Sequence, residues 1–157
     1  FGFTGGKTLE AGAGVGNFIG LMPADMRSAG RFTAIEREPF SSAIARNLYP
    51  QQSVQRADFT EFKGTDSYYD AAVGNPPFAS DPQTDRSGRK HLSGLSLHNY
   101  FFAKSIDMLR EGGIMAQVVT SSFMDAKGDK ARAEAFAAAL KRLQQQDALR
   151  PILQRWQ

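Results

Sequence analysis

Short apolar runs alternate with amphipathic segments along most of this chain, and this alternation constrains the fold more than any other feature. Strands are predicted over residues 7–11, 31–36, 53–57, 69–74 and 114–120, the last being the clearest buried strand. Helices are predicted after the first strand, from Pro39 to near Pro50, and over 98–110, where Gly112-Gly113 forms the cap. This order predicts an α/β fold: a doubly wound, mostly parallel sheet with helices on both faces and its ligand at the carboxyl ends of the strands.

The length and composition are those of one folded domain. The 157 residues are predicted to form a single domain, residues 1–157, and because the chain starts without methionine it is interpreted as a fragment of a larger protein. Two segments depart from the repeat. Residues 79–97 are long and polar, which indicates either a mobile substrate-handling loop or a disordered connection. Residues 129–155 have the apolar spacing of a structural amphipathic helix.

Composition excludes several classes of function. No apolar run reaches the roughly 18 residues that cross a bilayer, and no signal peptide is recognisable, so a cytoplasmic protein without a membrane partner is expected. The chain has no cysteine and two separated histidines, so no metal site is expected. Its net charge of +3, from 19 basic and 16 acidic residues, permits a nucleic-acid partner without requiring one.

A glycine-rich turn follows the first strand and opens a helix, the context in which a backbone can approach a ligand closely. Its glycines are Gly12, Gly14 and Gly16, preceded by the carboxylate of Glu10. Such turns serve dinucleotides, nucleotides and S-adenosylmethionine, and a glycine turn for tight strand-helix packing is the structural alternative. Glu10 favours a ligand with an ammonium group over one with phosphates.

Three further residues stand at predicted strand ends where they could complete a nucleoside site. Glu36 ends the second strand and can accept both hydroxyls of a ribose. Asp58 and Phe59 follow the third strand, and they offer an acceptor for an adenine amino group and a ring for the face of the base. Taken singly, each could be a solvated acid or a core aromatic residue.

The segment Asn75-Pro76-Pro77-Phe78 follows the fourth strand. Two prolines fix the backbone and supply no N–H, so the Asn75 amide oxygen and the Pro76 carbonyl are aimed as a pair of acceptors. Together they could hold an amino group while the Phe78 ring stacks on a flat base. The alternative is an ordinary turn after a strand.

With these motifs the chain resembles the class I S-adenosylmethionine-dependent methyltransferases with a Rossmann-like fold, specifically the N6-adenine DNA methyltransferases that carry Asn-Pro-Pro-Phe or Asn-Pro-Pro-Tyr. The resemblance implies S-adenosylmethionine as cofactor, DNA as partner and methylation of adenine N6, the chemistry of restriction-modification. It implies a cofactor site that includes Asn17, and a catalytic motif at 75–78. The sequence around Gly16-Asn17 and His98-Asn99 is most similar to the methyltransferase module of very large phage- and plasmid-borne proteins. Helicase or target-recognition domains of the same protein are therefore expected partners.

Departures from the family pattern keep alternatives open. The family completes its sheet with further strands, whereas the sequence after Asp125 is a helical tail, so a sheet truncated at its C-terminal strands is expected. Enzymes with related motifs methylate a guanine amino group in RNA or a glutamine side-chain amide in protein. A module that binds its cofactor or nucleic acid without catalysis is a further alternative. Arg86, Arg89 and Lys90 in the polar loop favour a nucleic-acid acceptor.

Overall fold

The computed structural model describes residues 3–119, which form five strands and four α-helices. The elements are, in chain order, β1 (Lys7–Ala11), α1 (Asn17–Leu21), α2 (Ala24–Ala29), β2 (Arg31–Glu36), α3 (Pro39–Leu48), β3 (Ser53–Arg56), β4 (Tyr69–Gly74), α4 (Leu97–Met108) and β5 (Leu109–Gln117). In this part of the chain no helix has both the length and the apolar character needed to cross a bilayer. The predicted helix at 129–155 and the predicted loss of C-terminal strands lie outside the described residues.

The sheet is parallel throughout, with strand order β3-β2-β1-β4-β5. The chain builds outward from β1 in one direction through β2 and β3, then returns to place β4 on the other side of β1. The gap above the β1/β4 pair is therefore the point where the strand order reverses, the usual ligand position in open α/β sheets. The predicted doubly wound α/β fold is confirmed.

Two apolar clusters cover the two faces of the sheet. One joins Leu9, Ile35 and Ala72 to residues of α4, among them Tyr100 and Phe101. The other joins Phe32, Ala34 and Val54 to Ile19 of α1 and Ala45 of α3. Neighbouring residues of β2 thus enter opposite clusters, as expected for a strand that is covered on both faces.

The junction of α4 and β5 differs from the prediction. The helix ends at Met108 instead of residue 110, and β5 begins at Leu109, so Gly112 and Gly113 lie within the strand and do not cap the helix. Between two paired positions, β4 advances from Tyr69 to Ala71 while β5 advances from Leu109 to Ile114, so the extra residues bulge out of the ladder. Glycine suits this bulge because Gly112 has φ +72°.

Strand β5 is also less buried than predicted. None of its nine residues is fully buried. The reason is positional: within residues 3–119, β5 pairs with β4 alone and forms one edge of the sheet. Apolar composition alone did not distinguish an edge strand from a central one.

Candidate active site

A cavity of about 330 Å³ opens above the carboxyl ends of the strands. Seven of the twelve residues predicted for the site line it: Gly12, Gly14, Glu36, Asp58, Phe59, Asn75 and Pro77. Residues that the sequence did not single out complete the wall, including Arg37, Glu38, Gln83, Leu97 and Phe101. Within residues 3–119 no three histidine or carboxylate side chains are grouped as a metal site.

The glycine loop is held on β2 by backbone hydrogen bonds. The Gly12 and Ala13 amides donate to the carbonyl of Ile35 at 2.9 and 3.1 Å. Gly12 and Gly14 have φ of +71° and +56°, a left-handed conformation that side chains disfavour. The loop therefore turns sharply at the cavity and leaves backbone exposed to a ligand.

Glu36 stands at the junction of this loop and the next strand. Its carboxylate accepts from the Gly14 amide at 2.7 Å and from the Glu38 amide at 2.6 Å, one bond on each oxygen. A carboxylate has about four acceptor positions, so each oxygen keeps one for a ligand hydroxyl. The two backbone bonds fix the carboxylate at the cavity in the position predicted for a ribose acceptor.

Asp58 directs its carboxylate to the cavity. Its Oδ1 accepts from the amide and the hydroxyl of Thr60, both at 2.8 Å, while Oδ2 lies 3.6 Å from the Arg37 guanidinium. Burial opposes ionisation, but the Thr60 hydrogen bonds and Arg37 outweigh it and hold the pKa of Asp58 below its usual value. Asp58 is thus an ionised acceptor suited to an amino group.

Phe59 belongs mainly to the core. Its side chain is buried, and its ring lies 4.7 Å from the Phe101 ring and 6.2 Å from the Phe62 ring, centroid to centroid. It touches the cavity but is only 3% exposed, so it shapes the wall more than it offers an open face. Phe59 is therefore mainly a core aromatic residue, which was the alternative to its predicted contact with a base.

The Asn-Pro-Pro-Phe motif begins directly after β4. Asn75 is exposed at the cavity, and its side-chain amide makes no hydrogen bond to any described residue. Pro76 is buried and Pro77 lines the cavity, which anchors the backbone on both sides of the Pro76 carbonyl. Phe78 is 53% exposed, with its ring 5.2 Å from that of buried His98, outside the cavity wall.

The glycine loop and this motif meet in the same cavity. Strands β1 and β4 are adjacent, with Glu10 paired to Val73, so the segments that leave their carboxyl ends lie side by side. A Cβ atom at Gly12 would lie only 3.7 Å from Cδ of Pro77. The predicted cofactor loop and the predicted acceptor residues therefore face one another at short range.

Five predicted residues do not line the cavity: Glu10, Gly16, Asn17, Pro76 and Phe78. Gly16 caps α1 in a left-handed conformation, and Asn17 begins that helix with an exposed side chain. Glu10 is almost wholly buried beside the backbone amides of Phe18 and Ile19. Its pKa is raised to about 7 because burial disfavours the charged form more than those amides stabilise it.

The basic residues of the 79–97 segment do not all face solvent. Arg89 is buried and bonds to Asp66 and to the carbonyls of Lys63 and Gly64, so its predicted availability to a nucleic acid is wrong. The guanidinium instead holds the loop of residues 63–66 through these bonds. Arg86 is exposed and pairs with Glu61 at 3.0 Å, and Lys90 is exposed.

The 79–97 segment is built around a buried carboxylate that sequence reasoning missed. Asp85 accepts from the Ser87 and Arg89 amides at 2.9 and 2.7 Å and from the Tyr100 hydroxyl, and it lies 3.4 Å from Lys104. The segment is therefore folded onto α4, and the alternative of a disordered connection is wrong. The hint in the sequence was Lys104, a lysine close to the aromatic and apolar residues that α4 buries.

Comparison with known proteins agrees with this geometry. The five-stranded parallel sheet resembles a TehB-like S-adenosylmethionine-dependent methyltransferase of Corynebacterium glutamicum, with a TM-score of 0.57, 13% identity, and coverage of 86% of this chain and 65% of that one. It also resembles a putative sarcosine dimethylglycine methyltransferase of Galdieria sulphuraria, with a TM-score of 0.53, 17% identity, and coverage of 76% and 44%. The fold is that of an S-adenosylmethionine-dependent methyltransferase.

Residues 31–145, well over half of the chain, match the Eco57I restriction-modification methylase family, and the chain belongs to that family. It is also 28% identical over 127 residues to the "Defense against restriction protein B" of Escherichia phage P1, a match that covers 80% of this chain and 6% of the phage protein. The chain thus spans a small part of that relative's length. Family and fold together identify S-adenosylmethionine as the cofactor.

Proposed function

We propose that this chain transfers the methyl group of S-adenosylmethionine to the N6 amino group of adenine in DNA. The observation that carries the proposal is the shared cavity, in which Gly12 and Gly14 face Asn75 and Pro77. The restriction-modification family supports DNA as the acceptor. We further propose that residues 1–157 act as one domain within a larger protein, alongside target-recognition or helicase regions.

The cofactor side follows from the donors and acceptors around the glycine loop. Gly12, Gly14 and Gly16 give the backbone room for the methionine part, with Asn17 at the start of α1 and Glu10 beneath the loop. Glu36 accepts the ribose hydroxyls through the lone pairs left free by its two backbone bonds. Asp58 Oδ2 accepts the adenine amino group in place of Arg37, and the edge of Phe59 borders the base.

The acceptor side uses the exposed amide of Asn75. An adenine flipped out of its duplex can donate one N6–H to the Asn75 side chain and the other to the Pro76 carbonyl. Pro76 and Pro77 keep both acceptors rigid, and the half-exposed ring of Phe78 stacks on the base.

Methyl transfer requires a nucleophilic nitrogen, and the N6 lone pair of adenine is delocalised into the ring. When bound, S-adenosylmethionine supplies an electrophilic methyl group on a positive sulfonium. Hydrogen bonds to Asn75 and to the Pro76 carbonyl favour a pyramidal nitrogen and stabilise the positive charge that develops on it. The fixed positions of the Gly12 loop and the Asn75 motif hold the reacting atoms in line, and this supplies much of the remaining acceleration.

Asn75→Ala tests the assigned role of the amide. Methylation of DNA should fall about 1,000-fold because an acceptor that acts on developing charge is lost. The affinity for S-adenosylhomocysteine, measured by calorimetry, should change less than about twofold because cofactor affinity does not depend on that acceptor. Asn47→Ala is the matched control, since Asn47 lies on the exposed face of α3. A folded Asn75→Ala protein that no longer binds cofactor would contradict the role.

The identity of the acceptor is tested by product analysis. DNA, RNA and protein are incubated with wild-type protein and deuterated-methyl S-adenosylmethionine, and the digests are analysed by mass spectrometry. Labelled N6-methyladenine from DNA is expected. A labelled guanine in RNA, a labelled glutamine, or binding of cofactor with no labelled product would each overturn the assignment of DNA adenine.

A further inference from the structure

A buried ammonium group lies behind the adenine side of the cavity. Lys104 of α4 is fully buried, and its Nζ donates to the Phe59 carbonyl at 2.5 Å, to the Ser87 hydroxyl at 2.9 Å and to the Tyr100 hydroxyl at 3.0 Å. Lysine is almost never fully buried without a specific partner. Three short bonds in one place show that a polar site is built into the buried side of α4.

These bonds connect segments that are far apart in the sequence. The Phe59 carbonyl directly follows Asp58, whose carboxylate faces the cavity, and Phe59 itself lines the wall. Ser87 and Asp85 belong to the 79–97 segment, which also contributes Gln83 to the wall. One ammonium group therefore ties two walls of the cavity to α4.

The charge of Lys104 is balanced by Asp85, whose Oδ2 lies 3.4 Å from Nζ. Burial lowers the pKa of Lys104 to about 8, and Asp85 opposes the shift. Arg89 in the 79–97 segment and Asp58 beside the cavity also act on it. Tyr100, on its own helix, accepts its hydrogen bond. The pKa of Tyr100 is raised, and those of Asp85 and Asp58 are lowered, so none of these three changes charge near pH 8.

We propose that Lys104 is a positioning residue for the adenine subsite, holding the Asp58-Phe59 segment through the Phe59 carbonyl and thereby setting the affinity for the adenosine part of the cofactor. The proposal rests on the cofactor-site assignment of Asp58. The alternative is that Lys104 stabilises the fold without affecting the site.

The test uses two probes that share adenosine. S-adenosylhomocysteine carries the amino-acid part, whereas methylthioadenosine lacks it and has no ionisable group between pH 6.5 and 9.5. Lys104→Met should weaken both probes by about tenfold, because the lost bond is a charged one next to the adenine acceptor. Arg110→Met is the matched control: it breaks an ion pair with Asp70 away from the cavity and should leave both affinities unchanged.

A chemical rescue separates positioning from stability. The chain has no cysteine, so Lys104→Cys can be alkylated at one site with bromoethylamine in denaturant and then refolded. The product restores an ammonium group at the end of a side chain of lysine length. Affinity for methylthioadenosine should return to within about threefold of wild type, whereas Lys104→Met taken through the same treatment should stay weak.

Wild-type protein gives an independent readout that needs no substitution. Affinity for methylthioadenosine should fall as pH rises through about 8, where Lys104 loses its charge. Above pH 8 the free energy of unfolding should rise, because a lysine whose folded pKa is lowered from 10.5 to about 8 binds fewer protons folded than unfolded in that range. A purely structural role predicts no fall in affinity.

The outcomes separate this inference from the proposed function. Equal affinities of wild type and folded Lys104→Met, or a wild-type affinity that does not change between pH 6.5 and 9.5, would overturn the role of Lys104 alone. Wild-type protein that binds neither probe would overturn the cofactor site as well. The predicted tenfold loss stands whether or not DNA adenine is the methyl acceptor.

Discussion

The backbone at position 12 favours glycine, and a side chain there would also occupy cavity space. Gly12 has φ +71°, where an L side chain costs about 1–2 kcal/mol. In addition, a Cβ there would lie 3.4 Å from the Phe101 ring and 3.7 Å from Pro77, within the space between the glycine loop and the acceptor motif. Gly12→Ala should therefore weaken S-adenosylhomocysteine at least about tenfold by calorimetry.

Gly112→Ala is the control for that variant. Gly112 has φ +72° in the β5 bulge, away from the cavity, and the nearest atom to a Cβ there would be Nη1 of Arg110 at 3.6 Å. It introduces backbone strain without filling the cavity, so stability should fall while cofactor affinity is retained. Equal losses of affinity in the two variants would show that general destabilisation, and not the lost space, is responsible.

Glu10 should make stability depend on pH in an unusual direction. Its folded pKa of about 7 lies above the ordinary value of 4.5, so the folded protein binds the proton more tightly than the unfolded chain. Stability from this group is therefore complete below about pH 4.5 and is lost as pH rises through 7. The loss is on the order of 3 kcal/mol at most. Urea unfolding of wild type and Glu10→Gln from pH 4.5 to 8 measures it.

The variant keeps the shape of Glu10 but cannot ionise. The difference in unfolding free energy between Glu10→Gln and wild type should change over this interval in favour of the variant. Parallel stability curves for the two proteins would mean that Glu10 is ionised throughout, and that its buried position beside α1 carries no penalty.

At the scale of elements, the 79–97 segment should behave as one folded unit. Asp85 is its centre, and Asp85→Asn leaves the Lys104 ammonium without its counter-charge. Breaking one partner of a buried pair typically costs about 3–5 kcal/mol. We expect a lower melting temperature and faster tryptic cleavage within 86–90.

Asp81→Asn is the matched control, because Asp81 is exposed in the same segment. It should melt like wild type and be cleaved at the same rate. Unchanged cleavage of Asp85→Asn would contradict the view that this carboxylate organises the segment.

Element boundaries show where local patterns stop being informative. The apolar spacing of α4 was readable, but its end was not, because the residues after Met108 are set by pairing with β4. Arg110 pairs with Asp70, and Gly112-Gly113 bulges between two paired positions. A glycine pair has the same appearance in a sequence whether it caps a helix or interrupts a ladder.

At the scale of the whole molecule, topology followed from alternation. Once strands and helices alternate, a parallel sheet with a crevice at the carboxyl ends follows from general rules, and the glycine loop and Asn75 fall on neighbouring strands. Glu36 and Asp58 line the same cavity for the same reason, since both stand at strand ends.

Long-range side-chain partners could not be found in this way. Lys104 meets the Phe59 carbonyl 45 positions earlier, and Arg89 meets Asp66 23 positions earlier. Nothing in the spacing of these residues marks them as partners, because each contact depends on how the 79–97 segment folds across α4. The polar composition of the segment predicted an exposed Arg89, whereas in the folded protein this side chain is buried.

The central claim is that the cofactor loop and the acceptor motif serve one reaction across one cavity. A crystal structure with S-adenosylhomocysteine tests it most directly. We predict the ribose on Glu36, the adenine between Asp58 and Phe59, and the sulfur between Gly12 and Asn75. A ligand bound elsewhere, or bound with its sulfur turned away from Asn75, would contradict the account.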